Sequence, residues 1–271
     1  MNISAKLLLA TTLTTLNFVL QTSNFFAQDG TVNWTVKNPF THKVFIENKG
    51  QFDAIKQNNT PVMFAYTGAV NVFFTSNGLM YNHNQLVPMT EEEMEKAGRK
   101  EEDEEGEKDR VAKKIVPNYV NMNWVGTNPD AVLLSESPVS YYFTYGDQRD
   151  STGRTSIKAQ AYNKVIYKDL YPNIDIEYTF PENSARINCA IILHNGADLS
   201  AIRMNYSQRS PSGKEKTKPT IDGRGNVQIE TPIGNFIDTV PLVYDEHGTL
   251  LKTAFAVKGN TVALSLITDN K

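Results

Sequence analysis

This chain is short of the residues that most chemistry needs. It has one cysteine, Cys189, in 271 residues, so no internal disulfide can form. Cys189 sits in the apolar run Ile187–Leu193, which predicts a buried, inert thiol, because reactive thiols need a partly exposed electropositive setting. Its four histidines are His42, His83, His194 and His247, and none stands four residues from another. That excludes the helical zinc pair of metalloproteases. No G-x-S-x-G elbow, phosphate-binding loop or dinucleotide fingerprint occurs. The net charge is −3, so no basic footprint calls for a nucleic-acid partner. No metal, cofactor or catalytic residue is expected from these absences.

Long apolar runs are also missing beyond the N-terminus. The first 27 residues read as an export signal. Lys6 is followed by the apolar Leu7–Ala10 and a Thr-rich stretch to Leu20, and Ala27 is a small residue at a cleavage point. The apolar run is broken by Thr11, Thr12, Thr14, Thr15 and Asn17, whereas a spanning helix needs about 20 mostly apolar residues. A cleaved signal is therefore expected, with no membrane span after it.

The rest of the chain is built of short runs that alternate apolar and polar residues between turn signals. This is the mark of β-strands. Val70–Thr75 and Leu79–Tyr81 flank Ser76-Asn77-Gly78, a hairpin signal. Asn226–Glu230, Asn235–Thr239, Leu242–Tyr244, Leu250–Val257 and Thr261–Thr268 follow one another between turns, as in an antiparallel meander. The fold class expected is all-β, sandwich-like, in two packed lobes. The first covers 28–145 and the second 157–271, with a polar linker at 146–156 that carries Gly146 and Gly153. A charged insertion at 91–114 holds eleven acids and seven bases, a local charge of −4. It has almost nothing to bury, which predicts a disordered loop or a solvated helix.

Three stretches carry a family resemblance. The first is Glu47-Asn48-Lys49-Gly50-Gln51. The second is Tyr171-Pro172-Asn173-Ile174-Asp175, after Tyr162–Asp169. The third runs from Asn195-Gly196-Ala197-Asp198 to Thr231-Pro232-Ile233-Gly234 and Pro241–Tyr244. In order and spacing they resemble an uncharacterised N-terminal β-domain of large secreted Bacteroidota proteins. The resemblance covers nearly all of the chain after the signal. Many members carry a Trp after the stretch matched by Tyr141–Gly146, and this chain lacks it. The resemblance implies an exported, adhesin-like or gliding-motility-associated module that leads a longer polypeptide. Such proteins often continue into β-propeller-type repeats, PKD-like modules and a type IX sorting domain. It implies no catalytic residues.

The residues themselves offer a few candidates. Asp175 and Glu177 share one strand face, about 7 Å apart by strand rise. That is within the range of inverting glycosidases, so a glycoside hydrolase is the alternative function, although a solvated strand face shows the same pattern. Asp222–Asn226 hints at a calcium loop but lacks the alternating acids, and a β-turn fits better. Tyr141, Tyr142, Phe143 and Tyr145 would suit sugar stacking or a strand core equally. Asp150-Ser151-Thr152 and Asp238-Thr239-Val240 resemble the short O-glycosylation motif of Bacteroidota. The reading these observations favour is a non-catalytic module at the cell surface, outside the cell or in the periplasm, whose protein or glycan ligand the sequence leaves open.

Overall fold

The computed structural model describes residues 43–57, 59–97, 112–146, 156–181, 186–209, 218–232 and 234–267. The signal segment, most of the linker with Ser151, and 98–111 of the charged insertion lie outside them. The described residues are nearly all strand. They form β1 (Phe45–Glu47), β2 (Lys56–Gln57), β3 (Thr60–Tyr66), β4 (Asn71–Thr75), β5 (Gly78–Pro88), β6 (Lys113–Trp124) and β7 (Val132–Gly146). They continue through β8 (Ser156–Tyr171), β9 (Ile174–Thr179), β10 (Asn188–Leu193), β11 (Arg203–Arg209) and β12 (Thr220–Ile221). The last are β13 (Val227–Thr231), β14 (Gly234–Asp238), β15 (Leu242–Tyr244), β16 (Leu250–Leu251), β17 (Thr253–Lys258) and β18 (Thr261–Leu266). The fold is all-β, as the alternating runs predict.

The main sheet runs in the order β16-β15-β10-β9-β8-β1-β3-β4-β5-β6-β11-β18-β17. Its two ends, β16 and β17, are one stretch of chain separated only by Lys252, so the sheet closes on itself into a ring. Ile267 N–H donates to the Lys252 carbonyl at 2.9 Å and ties the corner. Strand β7 lies off this path and pairs with β8 alone. A second sheet, β12-β13-β14, stands apart from the ring and packs Val227 and Ile229 into its core, both fully buried.

Two expectations take a different form. The 146–156 boundary separates no two sheets, because β8 lies beside β1 and β11 lies beside β6. Residues from both sides of it, such as Phe45, Phe74, Tyr167 and Ile176, share one core. The C-terminal strands fall where the alternation puts them, yet they are not a meander. β13 and β14 belong to the second sheet, and β15 pairs in parallel with β10. Period-two patterning marks a strand and its faces but not its partner.

The hairpin between β4 and β5 turns at Ser76-Asn77, with Thr75 paired to Gly78. Gly78 is therefore not the turn residue. It has φ +153°, and a Cβ there would lie 2.0 Å from the Met122 carbonyl oxygen. Glycine lets β5 run hard against β6. Tyr167 seals the same point, its hydroxyl shared between the Thr75 and Gly78 carbonyls at 2.8 and 2.9 Å.

In the charged insertion, Glu91–Lys96 forms a helix, α1, with no buried residue. The Thr90 hydroxyl accepts from Glu93 N–H and the Glu93 carboxylate accepts from Thr90 N–H, which closes a capping box. Lys96 pairs with Glu92 one turn back at 2.7 Å, and Lys114 of β6 pairs with Glu93. For these residues the solvated-helix reading holds.

Candidate functional site

A ring much wider than about eight strands has more interior than side chains can fill. Here the residue is a cavity of about 1390 Å³ between the ring and the second sheet. The period of two aims alternate side chains into it. Leu79, Tyr81 and His83 come from β5, and Val120, Met122 and Trp124 from β6. Cys189 and Ile191 come from β10. From the second sheet, Phe236 and Asp238 alternate on β14; the Phe236 ring lies 4.6 Å from Tyr81.

Asp222 and Asp238 are the acids of the lining, and Asp238 is the one that stands beside Phe236 on β14. Tyr206 donates to its Oδ2 at 2.6 Å. Burial pushes its carboxyl up to about 6, against hydrogen bonds from Tyr206 and the Thr239 backbone N–H that pull it down. Among the described residues no Lys, Arg or His pairs with it. The hydroxyls of Tyr81, Tyr178 and Tyr206 stay protonated, pushed up first by burial and then by neighbouring acidic groups, Asp238 among them. Cys189 lines the cavity and also packs against the main core. It is only half-buried because it faces the cavity, and burial followed by the Asp238 charge lifts its thiol to about 12. That keeps the thiol protonated and inert, as its apolar run suggests. Trp124 lines the same wall, and its indole N–H is buried without a partner among the described residues.

Asp175 and Glu177 lie elsewhere. Ile174, Ile176 and Tyr178 point into the core, which turns both acids to the outer face of β9. Neither lines the cavity. Asp175 is 5% exposed. It accepts from Lys168 Nζ at 2.5 Å, from Asp169 N–H at 2.8 Å and meets His194 Nε2 at 2.8 Å. Burial pushes its carboxyl up, but the hydrogen bonds from Asp169, Lys168 and His194 outweigh it and hold the group below the ordinary range. Glu177 sits in a separate cluster, 3.5 Å from Lys164, which also pairs with Glu136 at 3.1 Å. Two carboxylates tied to different lysines form neither the acid nor the free base of a hydrolytic pair.

The remaining candidates resolve into structure. In the Glu47–Gln51 motif, Asn48 Oδ1 accepts from Gly50 and Phe52 N–H at 2.9 and 3.1 Å, and its Nδ2 donates to the Val62 carbonyl at 2.9 Å. Glu47 Oε1 accepts from Gln160 N–H at 2.9 Å. The motif is thus a clamp joining β1 to β3 and β8. Tyr171 opens the second motif, and its hydroxyl is shared between the Val125 and Arg203 carbonyls at 3.1 and 3.0 Å. In the Asp222–Asn226 turn, both Asp222 oxygens are occupied by Arg224 and Asn226 donors, which confirms the β-turn. Of the aromatic cluster, Tyr142 is 55% exposed and Tyr141 also faces out, while Phe143 and Tyr145 pack against small cores.

One comparison bears on the whole ring. A family model described as Domain of unknown function (DUF7948) matches residues 45–271. The chain belongs to that family. The match begins at Phe45, the first residue of β1, and takes in every strand of both sheets, so the family's unit is the ring together with its second sheet. No curated protein and no solved structure matches the chain.

The cavity was beyond sequence reasoning. In the sequence Asp238 reads as part of a glycosylation tripeptide, and the signal for the cavity is small: an aromatic and an acid two apart, Phe236 and Asp238, on a strand that alternates.

Proposed function

We propose that this chain is an exported, non-catalytic module of the cell envelope or extracellular space, an adhesin-like or gliding-associated domain of a Bacteroidota surface protein, that binds a small ligand inside its ring. The observation that carries the reading is the cavity of about 1390 Å³, which sets Asp238, hydrogen-bonded by Tyr206, beside apolar side chains such as Val120, Met122 and Phe236. Binding sites have this character: mostly apolar, with a small number of placed polar groups. A carboxylate held where burial opposes its charge is costly, and such groups concentrate at functional sites. The export signal at 1–27 and the resemblance of the Glu47–Gln51 and Tyr171–Asp175 motifs support the location.

The test is to isolate the protein from its native host under non-denaturing conditions, after fractionating the cells with an antibody to residues 28–271. Surface or secreted protein carrying a small molecule that leaves on denaturation is the expected result in native mass spectrometry. Protein that is cytoplasmic, or that is ligand-free after isolation and takes up no compound from a small-molecule library, contradicts the proposal.

A further inference from the structure

We propose that the ligand is an amphipathic organic ammonium compound, its cationic head held at Asp238 among Tyr81, Tyr178, Tyr206 and Phe236, and its apolar tail along the Val120–Trp124 wall. This rests on the reading of the cavity as a binding site and names the chemistry that the site would select.

Asp238 lacks a counter-charge among the described residues. A buried carboxylate is stable when a cation and hydrogen bonds surround it. Asp238 has a hydrogen bond from Tyr206 at 2.6 Å but no cationic partner among the described residues. Lys43, Arg186 and Arg224 line the same cavity, yet none of them pairs with it. Aromatic residues stand beside it: Phe236, two residues before it on β14, packs against Tyr81 at 4.6 Å, Tyr178 lines the same cavity, and the Tyr206 hydroxyl is its hydrogen-bond donor. Aromatic faces attract cations, most strongly when water is excluded, and cages of them recognise substituted ammonium groups. A metal ion fits poorly, because such an ion asks for several oxygen or nitrogen ligands, and no group of three His, Cys, Asp or Glu stands together among the described residues. One part of the wall is aliphatic or thioether: Val120, Met122, Met204 and Leu264. They suit an alkyl or ring body rather than a sugar.

The groups that face Asp238 are Tyr81 on β5, Tyr178 on β9, Cys189 on β10 and Tyr206 on β11, all neutral near pH 6. His83 on β5 and Asp222, whose carboxyl is held low by hydrogen bonds from Asn226 and Arg224, are further titratable groups of the wall. Binding of a cation should therefore strengthen as pH rises and Asp238 ionises.

Calorimetric titration of the processed chain with decyltrimethylammonium, decanoate and decanol, each below its micelle-forming concentration, tests this. Decyltrimethylammonium should bind roughly tenfold tighter than the other two, the scale of a desolvated cation–π and charge contact. The advantage should vanish in Asp238→Asn, persist in His83→Asn, and shrink on acidification of the unaltered protein, a readout that needs no variant to fold. Equal affinity for all three probes, or an advantage that survives Asp238→Asn, overturns the ammonium assignment while the cavity stays a binding site. No binding of any probe removes both readings.

Discussion

Two aspartates, Asp175 and Asp238, stand on strands of the same fold and are treated in opposite ways. Asp175 lies on the outer face of β9 with a lysine, a backbone N–H and a histidine on its oxygens, and its carboxyl is held low. Asp238 lies on the inner side of β14 with a tyrosine and no cation, and its carboxyl is pushed up to about 6. Asp175 is the more enclosed of the two, 5% exposed against a half-buried Asp238, so burial alone does not explain why its carboxyl is the lower one. The difference is whether the protein supplies the counter-charge. Where it does, the acid is structural; where it does not, the acid waits for something else.

The comparison breaks most severely at Asp175. Asp175→Ala leaves Lys168 and His194 facing a void and frees the Asp169 N–H. It should destabilise the fold by about 3 kcal/mol, read as a lower urea midpoint at unchanged slope. Asp238→Asn should act the other way. It keeps an acceptor for Tyr206 and removes an uncompensated charge, so it should stabilise the free protein by about 1–2 kcal/mol at pH 7.5.

The two acids should also part company with pH. Asp175 has its folded value below the unfolded one of about 3.9, so its contribution is complete above that value and is lost as pH falls through the folded value. Asp238 has its folded value above the unfolded one. Its contribution is thus most favourable below about 4, declines as pH rises towards 6 and is level above. Thermal unfolding across pH 3 to 8 should show the Asp238→Asn gain appear between about 4 and 6, and not at pH 3. The smallest effect belongs to Glu177→Gln. Its ion pair with Lys164 is long and part-exposed, and the loss should be below about 1 kcal/mol.

The legible part of this fold was what depends on near neighbours. Strand β13 is visible in the alternation of Val227, Ile229 and the polar residues between them. The β4–β5 hairpin is visible at Ser76-Asn77, and α1 shows its Thr90–Glu93 capping pair. What was hidden depends on distant ones. The ring closes at Lys252 because β15 finds β10 and β17 finds β18, and no local pattern encodes those choices. Asp175 looks like a solvent-facing acid by periodicity, but a bulge in β8 sets Asp169 at φ +49° and folds its N–H and Lys168 over the carboxylate. Asp238 looks like half of a modification tripeptide until the second sheet carries it to Tyr206 of β11.

Asp238 is the acid that the protein leaves uncompensated among the described residues. Its carboxyl carbon, followed by NMR through a pH titration with Asp238→Asn used for assignment, should show a midpoint near 6 that moves down when decyltrimethylammonium is added. A midpoint near 4, the ordinary aspartate value, and unmoved by the probe, would mean that the charge is already matched and would contradict the account.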